Sequence, residues 1–246
     1  MTNAENINLK ENVWAIIPIH NEERNIGEVI SKCKKHVKNV VVVDDGSTDK
    51  SHNIAKNSGA IVLRHIVNLG KGAALKTGCD YAVRNMTRNT KKSAKNNEKN
   101  PNILIFIDGD GQHDADMIPV FTEKLKDCDI AIGVRRFNKK MPFVMKFGNN
   151  FINFIINLLF HVKISDSQSG YRAVWAENYR KIRWKSQDYS MESEMIANIG
   201  KHKLKYSQVP IPTIYNDEYK GTTVVDGFRI VYNIIKYLGN QRFLRS

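Results

Sequence analysis

Five short apolar runs alternate with segments of helical spacing along this chain. The runs are nearly all apolar, without the alternation that marks a strand with one face in water. Strands of this kind belong to parallel sheets that helices cover on both faces. The sequence therefore predicts an α/β fold with a mostly parallel central sheet flanked by helices, in a single domain over residues 1–246. The predicted strands are Val13–Pro18, Val40–Val43, Ile61–Leu63, Ile103–Ile107 and Asp129–Val134, and the helices among them include Glu22–Lys35, Asp49–Ser58 and Ala73–Val83.

The fourth run is followed by Asp108, Asp110 and Gln112 at every second position. In extended chain, alternate residues point to one side, so these side chains can offer a cluster of hard oxygens. The glycines between them, among them Gly109, let a ligand approach the backbone closely. Hard oxygens suit Mg²⁺ or Mn²⁺, which usually bridges to substrate phosphates. The segment therefore predicts a site for a metal ion and a diphosphate.

Two other strands also end in polar residues. The first is followed by the segment from Pro18 to Glu22, and the second by Asp44 and Asp45. Ligands of parallel sheets bind outside the carboxyl ends of the strands, so these groups are expected at one rim with Asp108. The dinucleotide fingerprint G-x-G-x-x-G and the P-loop are both absent from the sequence. Gly70-Lys71-Gly72 is a weak phosphate signal, and a tight turn before a helix explains it equally well.

The charge is strongly positive, with 38 Lys and Arg against 25 Asp and Glu and a net charge of +13. This balance favours anionic partners. Part of the excess lies in residues 84–100, which we interpret as a flexible basic loop inserted between a helix and a strand. That run has no aromatic residues for stacking on bases, which argues against nucleic acid as a partner. The three widely spaced cysteines indicate buried free thiols in a reducing compartment, and no signal peptide is recognised at the N-terminus.

Several segments together resemble family-two glycosyltransferases, and most closely the dolichyl-phosphate mannosyltransferase and polyprenyl-phosphate glycosyltransferase branch. The resemblance covers residues 13 to 215 and rests on the order and spacing of the segments as well as on their residues. The segments are Ala15-Ile16-Ile17-Pro18-Ile19-His20-Asn21-Glu22, Val41-Val42-Val43-Asp44-Asp45-Gly46-Ser47-Thr48-Asp49, Asn68-Leu69-Gly70-Lys71-Gly72, Asp108-Gly109-Asp110-Gly111-Gln112-His113 and Asp166-Ser167-Gln168-Ser169-Gly170-Tyr171-Arg172.

The resemblance implies a GT-A-like fold, a GDP- or UDP-linked sugar donor, Mg²⁺ or Mn²⁺ as cofactor, and inversion at the anomeric carbon. It also implies a polyprenyl (dolichyl-type) phosphate as acceptor. The donor-binding residues it implies are Pro18, His20, Glu22, Val43, Asp45, Lys71, Asp108, Gly109 and Asp110, with Asp108, Asp110 and Gln112 on the metal. The acceptor-phosphate residues it implies are Arg135, Lys146, Asn150 and Lys220, and the catalytic set is Asp108, Asp110, Arg135 and Glu194. The family often has arginine in place of Lys146 and a hydroxyl residue in place of Asn150.

Glu192 and Glu194 lie at the start of a predicted helix that ends near Gly200. The resemblance favours Glu194 as the site residue. Glu192 is explained by favourable placement of an acid near a helix N-terminus. Glu194 could equally be a structural carboxylate paired with a nearby base.

Two amphipathic segments bear on membranes. Residues 147–160 carry an asparagine stripe on an otherwise apolar helix of about 21 Å, too short to span a bilayer. We interpret 147–160 and 224–238 as interfacial helices that hold the protein peripherally on an anionic membrane surface, at its cytoplasmic face. The alternative for 147–160 is a core-packing helix whose asparagine stripe faces the cleft or solvent. No transmembrane helix is recognised.

Three functions compete. The first is sugar transfer to a lipid phosphate, whose second pKa of about 6 makes it largely a dianion that needs little general-base help. The second is transfer to a glycan or protein hydroxyl, for which Glu194 or Asp166 would act as a base. The third is a non-catalytic nucleotide-binding module, which would bind nucleotide without metal.

Overall fold

The computed structural model describes residues 9–93, 102–135, 153–188 and 190–212, which form a seven-stranded sheet with helices on both faces. The strands are β1 (Val13–Ile19), β2 (Asn39–Asp45), β3 (Ile61–His65), β4 (Ile103–Phe106), β5 (Ile130–Arg135), β6 (Arg172–Trp175) and β7 (Tyr206–Ile211). The helices are α1 (Leu9–Asn12), α2 (Ile26–His36), α3 (Ser51–Asn57), α4 (Lys71–Ser93), α5 (Ile118–Lys124), α6 (153–160), α7 (Tyr179–Ile182) and α8 (Met191–Lys201).

The strand order is β3-β2-β1-β4-β6-β5-β7, and every pairing is parallel except the two that β6 makes with β4 and β5. This confirms the predicted α/β fold with a mostly parallel sheet. The five predicted strands are all present, with boundaries shifted by a residue or two. The sequence did not reveal β6, which begins with a charged arginine, or β7, which contains a proline.

The core lies on both faces of the sheet because neighbouring residues of a strand point in opposite directions. Ile16 and Val43 lie in the cluster under α4 and α8, whereas Ile17 and Val42 lie in the cluster under α2 and α5. Burial on both faces explains why the strands read as continuous apolar runs. Cys33, Cys79 and Cys128 are buried free thiols, as expected, and burial raises the pKa of Cys33 to about 12.

The predicted end of α4 is wrong. The helix runs on to Ser93, so residues 84–93 of the expected basic loop are helical, and the remainder of that loop, 94–100, lies outside the described residues. Lys and Arg are good helix formers. Met86, which is 4% exposed, continues the buried face of Cys79 and Ala82 at helical spacing and packs in the same core cluster. Among the helices that the structure describes, none is long and apolar enough to cross a membrane.

The substitution Ile16→Ala tests the central position of β1. Ile16 is fully buried between β2 and β4, so the substitution should lower the free energy of unfolding by about 2–5 kcal/mol. Ile61→Ala makes the same change in the edge strand β3, where the side chain is only partly buried, and should cost clearly less. Urea denaturation of both variants measures the difference. Equal losses would contradict this placement of the core.

Candidate active site

The candidate site lies at the carboxyl ends of β1, β2 and β4. The strand order reverses at β1, because β2 and β3 lie on one side of it and β4 on the other. Open α/β sheets bind ligands in the crevice that forms at such a switch point. The three segments that the sequence placed at one rim therefore do meet there.

The segment after β4 carries the predicted metal ligands. The backbone N–H of Gln112 donates to Oδ1 of Asp110 at 2.9 Å, which fixes the turn at its tip. Gly109 lies against the end of β1, where an added Cβ would stand 2.5 Å from Ile19 Cγ2 and 3.1 Å from the carbonyl oxygen of Pro18. A glycine is therefore required for this segment to reach β1.

His113 holds the same segment in place through a hydrogen bond and a ring stack. The backbone N–H of Asp108 donates to His113 Nδ1 at 3.0 Å, so this nitrogen carries a lone pair. The imidazole stacks on Tyr171, which stacks in turn on Phe121. Burial lowers the pKa of His113 to about 4, although the negative charge of Asp108 opposes the shift. His113 is therefore uncharged at neutral pH and has a structural role in the turn.

Lys71, the first residue of α4, lies between two carboxylates. Its Nζ is 2.8 Å from Asp108 Oδ1 and 3.1 Å from Glu192 Oε1 on α8. Burial alone raises the pKa of Asp108, but Lys71, His113 and Arg135 together outweigh burial and bring the pKa down to about 2. Burial raises the pKa of Asp110 to about 6, and the negative charges of Asp108 and Glu22 add to the shift. These mutual effects show that the three acids share one local field.

The residues after β4 fit a divalent ion that also binds phosphate. Within the described residues, no three His, Cys, Asp or Glu side chains are grouped closely enough to hold a metal by themselves. Mg²⁺ commonly needs less, since one or two carboxylates together with substrate phosphates suffice. Asp108 and Asp110 supply such a pair. Gln112 is half-buried in the same turn, and its role as a ligand stays a prediction.

A divalent ion on Asp108 would conflict with the lysine already there. Two unit charges 4 Å apart repel by about 4 kcal/mol at an effective dielectric of 20, and a divalent ion doubles this value. Lys71 and a metal ion therefore cannot both contact Asp108 without a large penalty.

The predicted nucleoside residues fall into different environments. His20 is exposed, and its Nδ1 lies 2.9 Å from the backbone oxygen of Asp45. Glu22 is 9% exposed and acts electrostatically on Asp110. Pro18 is buried at the end of β1, and Val43 points into the core beside α4, so only its backbone is available to a ligand.

Asp45 is used inside the protein. Its carboxylate accepts hydrogen bonds from the backbone N–H groups of Leu69 and Gly70, at 2.9 and 2.7 Å, and pairs with His65 at 2.6 Å. Asp45 therefore holds the loop that leads into Lys71. The sequence suggested this side chain for contact with base or ribose, and that contact stays a prediction.

Glu194 lies in a different environment from Glu192. Its carboxylate accepts hydrogen bonds from the backbone N–H groups of Lys185 and Ser186 and from the Ser186 hydroxyl. This segment packs on the start of α4, where Trp184 Nε1 donates to the carbonyl of Gly72 at 2.9 Å. Glu194 thus contacts two main-chain amides and a hydroxyl where the structural alternative expected a basic side chain, and its catalytic role stays a prediction.

Arg135 ends β5 and pairs with Asp166 through two hydrogen bonds, Nε to Oδ2 at 2.7 Å and Nη2 to Oδ1 at 3.0 Å. Asp166 is fully buried, so the guanidinium is held in one orientation. Because β4 and β5 are both antiparallel to β6, Arg135 and Asp108 lie at the same edge of the sheet, and the positive charge of Arg135 contributes to lowering the pKa of Asp108. Lys146, Asn150 and Lys220 lie outside the described residues.

Glu192 is the functional candidate that the sequence interpretation missed. Its side chain is 2% exposed, and placement at a helix N-terminus does not account for that burial. One signal was available. No lysine or arginine stands three or four residues away on α8, and charged groups are almost never fully buried unless paired. The sequence thus showed that Glu192 lacks a partner on its own helix, and only its burial in the structure made a partner from elsewhere necessary.

The sheet order, with acidic side chains at the switch point, defines a GT-A-like α/β fold. A family model described as glycosyl transferase family 2 matches residues 14–189, and the chain belongs to this family. It is 32% identical over 253 residues to a UDP-N-acetylglucosamine–dolichyl-phosphate N-acetylglucosaminyltransferase of Methanococcus voltae, covering 91% of this chain and 94% of that protein. It is 42% identical to an uncharacterized protein of Methanocaldococcus jannaschii, covering 92% of each.

Solved structures agree on the fold. Glucosyl-3-phosphoglycerate synthase of Mycobacterium tuberculosis, solved with Mn²⁺, uridine diphosphate and glucosyl-3-phosphoglycerate, superposes with a TM-score of 0.69. The likeness covers 97% of this chain and 86% of the synthase. Sequence identity is 18%, so the likeness concerns the fold alone.

The substitution Gly170→Ala tests whether the pair of Asp108 and Lys71 belongs to a binding site. A Cβ at Gly170 would stand 2.8 Å from both Asp108 Oδ2 and Lys71 Nζ, so the pair must shift. We expect the affinity for Mn²⁺ with a nucleoside diphosphate to fall about tenfold, because misplacement of this size disrupts a preorganised site. Calorimetric titration measures it. Gly27→Ala in α2 is the control. Unchanged binding by a folded Gly170→Ala protein would show that Asp108 and Lys71 do not belong to the binding site.

Proposed function

We propose that this protein is an inverting glycosyltransferase that moves a sugar from a GDP- or UDP-linked donor to a polyprenyl (dolichyl-type) phosphate. The observation that carries the proposal is the arrangement at the carboxyl ends of the strands, where Asp108 and Asp110 follow β4 and the oriented cation of Arg135 ends β5. The name of the Methanococcus voltae relative, a dolichyl-phosphate N-acetylglucosaminyltransferase, supports the same reaction.

The donor side is formed by the residues after β1 and β4. Asp108 and Asp110 would hold Mg²⁺ or Mn²⁺, which when bound supplies positive charge to the departing diphosphate. Lys71, which also pairs with Glu192, adds a second positive charge close to the same turn. Pro18, His20, Glu22 and the backbone around Val43 and Asp45 form the neighbouring wall for the nucleoside.

The acceptor side needs positive charge more than it needs a base. A lipid phosphate is largely a dianion at neutral pH and can attack the anomeric carbon directly. What it requires is a cation that holds it in line with the leaving group. Arg135 suits this role because the buried carboxylate of Asp166 fixes its guanidinium. Lys146, Asn150 and Lys220 remain predicted contributors on the same side.

The main alternative is a hydroxyl acceptor on a glycan or protein, which needs a general base. The two carboxylates that the sequence offered for that role are both engaged. Asp166 binds Arg135 through both oxygens, and Glu194 binds the backbone of Lys185 and Ser186. These contacts favour the phosphate acceptor.

Incubation with nucleotide-sugars, Mg²⁺ and a polyprenyl phosphate tests the reaction, and a lipid-linked sugar is the expected product. Arg135→Gln should lower kcat/KM for the lipid phosphate about a hundredfold, because the acceptor loses its orienting charge. The KM for the donor should change little. Arg180→Gln on α7 removes an exposed arginine outside the site and is the matched control. Turnover of a soluble saccharide but of no lipid phosphate would refute the proposal.

Helix α6 supports association with a membrane surface. Asn153 bonds the backbone of Ser165 and Ser167, and Asn157 accepts from the N–H of Ile164, so these two asparagines of the predicted stripe face the protein. The opposite face is apolar and open to solvent, with Phe154 and Leu158 each 62% exposed and Leu159 38% exposed. We infer that this face lies in the bilayer surface, beside the segment that holds Arg135. Residues 147–152 and 224–238 of the predicted interfacial helices lie outside the described residues.

The double substitution Phe154→Ser with Leu158→Ser tests this face. Each side chain contributes up to about 1.5–3 kcal/mol when fully removed from water, so binding to anionic phospholipid vesicles should weaken about tenfold to a hundredfold. Vesicle sedimentation measures it. Val120→Ser removes an exposed apolar side chain from α5 and should leave binding unchanged. Full retention of vesicle binding by the double variant would argue against this orientation.

A further inference from the structure

The carboxylate of Glu192 is buried and, within the part of the chain that the structure describes, has no hydrogen bond besides its ion pair with Lys71. Its side chain is 2% exposed, and neither oxygen has a hydrogen-bond partner among the described residues. A buried carboxylate that lacks such partners depends on nearby positive charge. Arg172 is close, but its guanidinium donates to the carbonyl oxygens of Ser169, Glu192 and Ser167. The direct ion pair comes from Lys71.

Lys71 contacts one carboxylate on each side. Asp108 belongs to the turn that would receive a metal ion and a diphosphate, whereas Glu192 sits on α8. The start of α4 is itself fixed, because Trp184 bonds the carbonyl of Gly72 and the N–H of Ala73 donates to the carbonyl of Gln187 at 3.2 Å. A long, flexible side chain on a fixed backbone can leave one anion and keep the other.

We propose that Glu192 is a positioning residue that keeps Lys71 in the site after a divalent ion has displaced its ammonium group from Asp108. The inference rests on the proposed function and adds a residue to it. Before the donor arrives, Lys71 neutralises Asp108. Once the ion and the diphosphate occupy the turn, the ammonium stays paired with Glu192 and turns its remaining donors to the diphosphate.

Binding of Mn²⁺ without nucleotide gives a readout independent of activity. Lys71→Met removes the competing cation, so Mn²⁺ should bind about tenfold more tightly. Glu192→Gln removes the second anion, so displacement of Lys71 becomes harder and Mn²⁺ should bind about tenfold more weakly. Lys76→Met removes a lysine from the next turn of α4 and is the control, so its affinity for Mn²⁺ should equal that of the wild type. Unchanged Mn²⁺ affinity in Lys71→Met would overturn the proposal.

The double variant separates an indirect role of Glu192 from direct attraction of the ion. If Glu192 acts through Lys71, Glu192→Gln has no further effect once Lys71 is Met. An equal loss in both backgrounds would show that Glu192 attracts the ion itself, and the positioning role would be refuted. With UDP or GDP added, Lys71→Met should bind the nucleotide more weakly than the wild type.

A measurement on the unmodified protein guards against variants that fail to fold. Crystals of the wild type with Mn²⁺ and UDP or GDP should show Lys71 Nζ detached from Asp108 and still paired with Glu192. A Lys71 that stays on Asp108, or that leaves Glu192, contradicts the exchange. None of these experiments uses an acceptor. The lipid-phosphate assay can therefore fail while the displacement of Lys71 from Asp108 is confirmed, and the displacement can be contradicted while the assay succeeds.

Discussion

The ion pairs of Lys71 join three parts of the chain that are far apart in sequence. Asp108 follows β4, Lys71 begins α4 and Glu192 lies in the first turn of α8. Each of the two acids is costly to place in the protein interior, and the shared ammonium offsets both costs. The position of Asp108 in the β4 turn, and with it the candidate metal site, depends on this cation together with the support from His113.

Several carboxylates of the site bind other parts of the protein. Asp45 accepts from the amides that precede Lys71, Glu194 accepts from the segment that packs on α4, and Asp166 holds Arg135. A carboxylate that accepts backbone N–H bonds fixes a loop more firmly than a neutral side chain does. The candidate ligand-binding residues Lys71 and Arg135 are therefore held in place by acids that contact neighbouring loops or side chains.

The sequence predicted the fold where local pattern and tertiary environment agree. β1, β2 and β4 are buried on both faces, and their continuous apolar runs predict this burial. The pattern failed at β6, where Arg172 occupies a buried strand position because its guanidinium donates to the carbonyl groups of Ser167 and Ser169, just before the strand, and of Glu192 on α8. It also failed at the end of α4, where Met86 continues a buried helical face inside a basic run. In both cases some of the partners, Glu192 for Arg172 and the core cluster for Met86, lie far away in sequence.

By itself, the sequence determined the α/β class and the polar residues at three strand ends, because both follow from periodicity within a few residues. The tertiary structure decided how each acid is used. Glu192 and Glu194 stand two residues apart on one helix, yet one faces Lys71 and the other a backbone loop. Likewise, only packing decided that the asparagines of α6 face inward and its apolar side chains outward. The physical reason is that the energy of a buried charge or amide depends on partners that only folding brings near.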